Sequence, residues 1–282
     1  MFHTTAEEFI SRAPHNVACW AAHFNLAALP ILAETAAAIA ELRENEDAVD
    51  AHLLSQAISS DPIMTLKLLA HVAKLRRGRE GSDTETVTEA LVMLGIPPFF
   101  RAFGDLSTVE ARLQDYPEAL EGFQRVLRRA HRAANFAIGF AVHRMDHDAP
   151  VIHQAALLHD FAELLLWLRA PALALEISRH QCADPALRSA DVQRNLLHIE
   201  LADLQHELMN IWRLPALLVR ITDDHQAVTD QVRNVLLAMR LARHSAQGWD
   251  NPALPDDVQD ISALLQLGIE PTWRLLQDID SA

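Results

Sequence analysis

The residues of this chain best suited to chemistry are a histidine and an aspartate that stand side by side in an apolar segment. His159 and Asp160 interrupt residues 155–168, which are otherwise almost entirely apolar. Burying two polar side chains costs free energy unless each has a partner. Imidazole and carboxylate groups can ligate divalent metals, and a third candidate ligand, His131, precedes His159 on another predicted helix. The pattern predicts either a metal site or a polar pair that ties adjacent helices together through a hydrogen bond. We favour the polar pair.

Two other histidines have competing interpretations. His131 lies on a predicted helix rich in arginine and alanine, so we read it as a hydrogen-bonded interior histidine in preference to a metal ligand. His225 follows two aspartates. It is typical of a histidine at a helix C-terminus, stabilised there by the helix dipole and by nearby acids. A role for His225 as a ligand is the less favoured alternative.

The elements that must position these residues are predicted to be helices throughout. Half of the 282 residues are hydrophobic and only 22% are charged, with eight glycines, and alanine and leucine favour helices. Apolar residues recur every three or four positions, and no segment alternates with a period of two, so we predict no substantial sheet. Asp61 and Pro62 mark a helix start, and Gly95 marks a helix end. The predicted helices are 29–45, 48–60, 62–75, 84–94, 118–144, 151–168, 171–180, 187–212, 215–224, 231–247, 256–267 and 271–279.

The chain divides by pattern into three parts. Residues 1–28 are predicted to be an N-terminal helical extension, residues 29–117 an N-terminal helical subdomain, and residues 118–282 a second helical subdomain that includes the C-terminal helices. The segment 105–118 is less regular and is the predicted meeting point of the two subdomains. Because no Gly/Ser-rich linker separates them, we expect them to pack firmly together.

Composition excludes several classes of function. The net charge of −14 argues against nucleic-acid binding, which needs clustered Lys and Arg. The local basic residues, among them Arg129 and Arg132, are interpreted as solvated faces and helix C-terminal charges. We expect a cytoplasmic protein without membrane segments, because the N-terminus is acidic and no long apolar run is free of charge. No glycine-rich phosphate loop, nucleophile elbow or cysteine zinc motif is present in the sequence.

Several motifs together resemble the HDOD domain, a bacterial signalling module related to the HD phosphohydrolases. The N-terminal half carries Leu29-Pro30, the run LLSQAISSDPIMTLKLL and the run VTEALVMLG. The C-terminal half carries RRAHRAANFA, AALLHDFAELLL and NIWRLPALLVRITDDH. The resemblance extends over roughly residues 25–247 and rests on the order and spacing of the motifs. It implies an all-α, multi-helix HDOD architecture, in which an N-terminal helical subdomain packs on a C-terminal HD-like one.

The resemblance also implies a degenerate metal site. His131, His159 and Asp160 match positions that hold metal ligands in HD enzymes. There the ligands bind one or two divalent metals, which activate water for attack on phosphorus. The aspartate that completes this set falls on Met239, and no register shift supplies a carboxylate. The lysine that follows the HD pair in active relatives is replaced by Glu163, and a further family histidine falls on Leu201. These replacements imply a vestigial or weak site in which His225 is at most a neighbour.

We therefore expect a non-catalytic regulatory protein that acts through protein contacts or a small ligand. The resemblance implies signalling partners, such as a response regulator or a sensor kinase, and no cofactor beyond a weakly bound divalent metal. Two alternatives remain open. One is a metal-dependent phosphohydrolase of nucleotides or cyclic dinucleotides, and the other is a nucleotide sensor without turnover. The sequence leaves the oligomeric state open.

Overall fold

The computed structural model of the chain describes residues 9–76, 84–184, 187–223 and 229–281. Within these ranges the regular structure is helical, apart from one isolated parallel bridge between Ile31 and Thr108. The predicted all-α fold class is therefore confirmed.

Seventeen α-helices are formed by the described residues. In chain order they are α1 (Val17–Ala21), α2 (Ala33–Glu44), α3 (Ala51–Ile58), α4 (Pro62–Leu75), α5 (Val87–Leu94), α6 (Ile96–Ala102), α7 (Val109–Arg112), α8 (Pro117–His143), α9 (Ala149–Leu158), α10 (Phe161–Arg169), α11 (Pro171–Ala183), α12 (Ser189–Leu197), α13 (Leu201–Ile211), α14 (Ala216–Ile221), α15 (Asp230–His244), α16 (Leu254–Leu265) and α17 (Ile269–Ser281). Two 3₁₀ turns, Leu26–Ala28 and Glu46–Ala48, precede α2 and α3.

Helix-capping signals in the N-terminal half act mostly where the sequence predicts them. The Asp61 carboxylate accepts the backbone N–H groups of Ile63 and Met64, both at 2.9 Å, and Pro62 opens α4. Gly95 ends α5 with φ +82°, which a residue without a Cβ adopts at little cost. No helix is predicted between Leu94 and Glu118, but α6 begins directly after Gly95.

The start of α3 differs from the prediction. The helix predicted over 48–60 starts later in the structure, because Glu46–Ala48 forms a separate 3₁₀ turn and Val49 is extended. The cap is Asp50, whose side chain accepts the N–H of Leu53 at 2.8 Å.

Two of the predicted long helices are each broken in the middle. The helix predicted over 187–212 ends at Leu197, because His198 adopts a left-handed conformation with φ 62°. The helix predicted over 151–168 breaks at His159 and Asp160 into α9 and α10. This second break is what presents the HD pair at a corner between two helices.

The long helix α8 is the centre of the packing. It lies against α9, α10, α11, α15 and α17. Buried apolar residues from Ile10 to Leu276 form one continuous hydrophobic core. Near the N-terminus, α1 packs on α13, where the fully buried Trp20 donates its indole N–H to the Leu197 carbonyl at 3.0 Å. The division into three segments remains a prediction.

One segment of the described chain is long and apolar enough to cross a membrane by length and composition alone. This is Ala149–Arg169, which spans α9 and α10. Most of its apolar window, 83%, is buried inside the fold, as in a core helix. Length and composition are therefore weak evidence for a membrane span here.

Candidate functional site

The HD pair lies where α9 ends and α10 begins. His159 is the C-cap of α9, and Asp160 is the N-cap of α10. The His159 Nδ1 atom lies 3.0 Å from Asp160 Oδ1. Both side chains are largely buried, with 9% and 14% of their surface exposed. The pair is therefore internally hydrogen-bonded.

A third side chain, which sequence reasoning did not connect to this pair, completes the cluster. Arg129 on α8 donates to Asp160 Oδ2 from Nε at 3.1 Å and from Nη2 at 2.7 Å. Its Nη2 also donates to Glu163 Oε2 at 2.6 Å. The side chain of Arg129 is only 17% exposed, so its interpretation as part of a solvated face is wrong. We call Arg129, His159, Asp160 and Glu163 the HD cluster.

A second arginine approaches the same carboxylate from α15. The Nη2 atom of Arg243 lies 3.8 Å from Asp160 Oδ2. The resemblance had placed Met239 of α15 where an aspartate ligand would stand, and Met239 is buried in the apolar core with 2% of its surface exposed. In this fold α15 thus brings a cation, and no carboxylate, to Asp160.

The charges of the HD cluster stabilise one another. Burial is the largest influence on Asp160 and opposes its ionisation. The Arg129 charge and the His159 hydrogen bond outweigh it and hold the pKa of Asp160 well below its usual value. Burial also opposes the charge on Arg129, but Glu163 and Asp160 raise the pKa of its guanidinium. Asp160 and Arg129 therefore form an ion pair around neutral pH.

The remaining predicted site residues lie in different surroundings. His131 on α8 donates from Nε2 to the Ser60 carbonyl at 2.7 Å, which ties α8 to the chain between α3 and α4. His153 of α9 lies near enough that, after burial, the charge of His131 lowers the pKa of His153. His225 lies outside the described residues. Leu201, at the start of α13, is a buried apolar residue.

The donor set of the HD cluster does not fit a metal ion in this arrangement. Both carboxylate oxygens of Asp160 already accept hydrogen bonds, one from His159 and the other from the Arg129 guanidinium. A cation beside Asp160 would be repelled by Arg129 at close range. Over the described ranges, no group of three or more His, Cys, Asp or Glu side chains is arranged to hold a metal.

Sequence reasoning missed Arg129 because its role depends on tertiary contact between α8 and α10. A signal was nevertheless present. Asp160 and Glu163 stand one helical turn apart in an apolar segment, and two carboxylates so placed need a cation. The helix that packs against them carries several arginines, but its sequence alone does not tell which one turns inward.

Comparisons with known proteins agree with this architecture. A family model described as the HDOD domain matches residues 29–228. The crystal structure of MmoQ Response regulator from Methylococcus capsulatus str. Bath is 22% identical, with a TM-score of 0.67 over 88% of this chain and 98% of that chain. A virulence factor from Campylobacter jejuni subsp. jejuni is 16% identical, with a TM-score of 0.61 over 89% of this chain and 94% of that chain. No curated protein sequence matches this chain significantly.

Proposed function

We propose, from the premise that this chain belongs to the HDOD domain family, that it is a regulatory protein of signal transduction with a non-catalytic HD cluster. In this proposal the HD residues brace α8, α9 and α10 against one another. Regulation is exerted through protein contacts, or through a small ligand bound elsewhere in the fold.

The observation that carries the proposal is the ion pair between Arg129 and Asp160. A metal-dependent hydrolase needs its carboxylate free to bind a divalent cation, which then activates water. Here the guanidinium satisfies the carboxylate through two hydrogen bonds to one oxygen. To bind a metal, the site would have to break a buried charge pair and leave an arginine next to the incoming cation.

The proposed partners are signalling proteins, with a response regulator or a sensor kinase as the first candidates. MmoQ, the similar structure from Methylococcus capsulatus, is described as a response regulator. At 22% identity that likeness supports the fold, and the partner class is our inference. We also propose that the protein acts in the cytoplasm, without nucleic acid.

Metal analysis combined with a hydrolysis assay tests the non-catalytic proposal. The purified full chain is incubated with Mn²⁺, dialysed, and assayed for bound metal and for hydrolysis of bis(p-nitrophenyl) phosphate. We expect far less than one metal per chain and no hydrolysis above the buffer rate. The Asp160→Asn variant, which removes the key carboxylate, should give the same result.

The phosphohydrolase alternative makes the opposite prediction. Stoichiometric Mn, Fe or Zn that disappears in His159→Ala and Asp160→Asn, together with hydrolysis lost in the same variants, would overturn the proposal. Arg125→Gln is a matched control for both measurements, because Arg125 is an exposed arginine on the same helix that contacts Ser178. It should behave like the unmodified chain in either case.

A further inference from the structure

A cavity of about 510 Å³ lies where the N-terminal helices meet the end of α13. Its N-terminal wall comes from the 3₁₀ turn Leu26–Ala28 and from helices α4 and α6, and its C-terminal wall is the segment 211–213. Its volume is typical of sites for small molecules. None of the HD cluster residues lines it, so this cavity is a separate site.

The lining of this cavity is basic in a chain that is acidic overall. Three of the described lining residues are cations, and none is an aspartate or glutamate, although the net charge of the chain is −14. The three are Lys67, Lys74 and Arg213. His71 also lines the cavity, but burial and the charge of Lys74 lower its pKa. A concentration of one sign of charge in a concave site attracts ligands of the opposite sign.

Lys67 is the buried member of this set. Only 4% of its surface is exposed, and its ammonium group donates to the Ala27 carbonyl at 2.7 Å. An ammonium group has three N–H donors, so the hydrogen bond to one carbonyl leaves donors that a ligand can accept. Burial lowers the pKa of Lys67 to about 8, while the charge of Asp61 acts in the opposite direction. An anion inside the cavity would offset the cost of burying this charge.

Aromatic side chains form the apolar part of the lining. Phe24 and Phe103 are almost fully buried, and Trp212 lies at the opposite wall. The His71 ring meets Phe103 edge-on, with 5.3 Å between ring centroids. Aromatic side chains offer a large apolar contact area. Trp212 also contacts Phe161, the residue after Asp160, at 5.7 Å between centroids. The cavity is therefore in physical contact with the segment that carries the HD cluster.

Arg213 is the third cation of the cavity lining. It follows α13 in a left-handed conformation, with φ 57°. The backbone bonds from Arg213 N to Asn210 O and from Leu214 N to Met209 O form a Schellman motif, in which this position is usually glycine. The chain instead carries an arginine in a strained conformation, and its side chain lines the cavity. The same left-handed conformation occurs at Met145, His198 and Gln266, so Arg213 differs from them by its place in the cavity wall.

We propose that this cavity binds a small organic anion, with a flat apolar body against the aromatic lining and a carboxylate or phosphate held by Lys67, Lys74 and Arg213. The proposal goes beyond the regulatory function and does not depend on it, because it concerns residues outside the HD cluster. Carboxylate and phosphate share the chemistry that these cations recognise. The experiment distinguishes between them.

Calorimetric titration of the full chain with matched probes tests the proposal. The anionic probes are 1-naphthyl phosphate and 1-naphthoate, which share one aromatic body and differ in the charged group. The controls are 1-naphthalenemethanol, which has the body without the charge, and inorganic phosphate, which has the charge without the body. We expect at least one anion to bind at one site per chain, about ten-fold or more tightly than either control. Which anion binds more tightly identifies the preferred charged group.

The Arg213→Gly variant separates binding from folding. Glycine suits the left-handed backbone at this position, so the melting temperature should stay the same or rise. Affinity for the preferred anion should fall about ten-fold or more. Gln266→Gly is the matched control, because Gln266 ends α16 with φ 55° and does not line the cavity. It should leave affinity unchanged. Lys74→Gln, at an exposed position, should weaken binding without affecting the fold.

Three outcomes would overturn the proposal. The first is that neither anion binds at millimolar concentration, and the second is that the neutral alcohol binds as tightly as the anions. The third is that Arg213→Gly retains the affinity of the unmodified chain. None of these results depends on metal binding or hydrolysis at the HD cluster. A failure here therefore leaves the regulatory proposal to be judged by its own test.

Discussion

At the scale of single residues, the identity of the cation beside Asp160 separates a structural HD pair from a catalytic one. The carboxylate of Asp160 is held in its ionised form by a side chain of the same chain. Because this ion pair is intramolecular, it forms whenever the chain folds. Metal binding would depend on the concentration of free metal. The cost is dependence on Arg129, because a buried carboxylate that loses its partner is strongly unfavourable.

Replacing Arg129 with methionine should destabilise the fold markedly. Methionine keeps much of the side-chain volume but leaves the buried Asp160 with only the more distant Arg243 as a cation. We expect this change to cost about 3–5 kcal/mol of unfolding free energy at pH 7. Chemical denaturation followed by circular dichroism measures this change. Arg125→Met on the exposed face of α8 should cost less than about 0.5 kcal/mol. Equal effects of the two substitutions would show that the HD cluster does not depend on Arg129.

Acidification should raise the stability of the Arg129→Met variant relative to that of the unmodified chain. The folded pKa of Asp160 lies below its usual 3.8, so its contribution to stability is present above about pH 4 and is lost as pH falls further. Without Arg129, burial is opposed only by His159 and Arg243. We therefore expect the pKa of Asp160 to rise, so that protonation on moving from pH 7 towards pH 5 relieves the buried charge. The stability gap between the two proteins should therefore narrow on acidification. A gap that is constant between pH 7 and pH 5 would contradict this assignment.

At the scale of elements, the capping chemistry of α4 connects the N-terminal helices. Asp61 is fully buried, and besides its two bonds within α4 it accepts the Leu32 N–H at 2.8 Å. One carboxylate thus satisfies donors from two parts of the chain. Burial raises the pKa of Asp61, although these backbone bonds lower it. The charge of Lys67 on the same helix partly balances that of Asp61.

Removing this cap should cost more than removing an ordinary one. Asp61→Ala leaves three backbone N–H groups without their acceptor in a buried site, so we expect a loss of about 2–4 kcal/mol. Asp50→Ala is the control, because Asp50 caps α3 through a single bond at an exposed position. It should cost about 0.5–1 kcal/mol. Denaturation midpoints of the two variants provide the comparison, and similar losses would count against the linking role of Asp61.

These elements also show what the sequence could predict. Asp61-Pro62 and Gly95 act locally, through caps and backbone conformation, so their roles could be inferred from residue types alone. The break at His159 and Asp160 could not, because apolar residues typical of a helix continue on both sides of the pair and no glycine or proline marks a helix end there. The pairing of Arg129 with Asp160 was also beyond prediction, because it depends on which face of α8 meets α10. Local chemistry was therefore predictable, while the charge balance of the site was set by tertiary packing.

At the scale of the whole molecule, the packing joins both halves of the chain. The buried apolar residues form one continuous core, to which the first and last described helices contribute. Trp20 near the N-terminus is fully buried and bonds to the Leu197 carbonyl in the C-terminal half. The anion cavity is likewise built from both halves. A ligand there would stabilise the arrangement of one half on the other, as expected for a regulatory protein.

Such a core should unfold as one cooperative unit. We expect urea unfolding followed by circular dichroism and by tryptophan fluorescence to give coincident single transitions. Trp20→Phe keeps the apolar contact but leaves the buried Leu197 carbonyl without its donor, so it should lower the unfolding free energy by about 1–3 kcal/mol with little change in slope. Two separated transitions, with Trp20→Phe affecting only the first, would mean that the N-terminal helix is an independent appendage. In that case a ligand in the cavity would stabilise only the transition of the part that forms the cavity. If the chain unfolds as one unit, the ligand instead stabilises the whole protein.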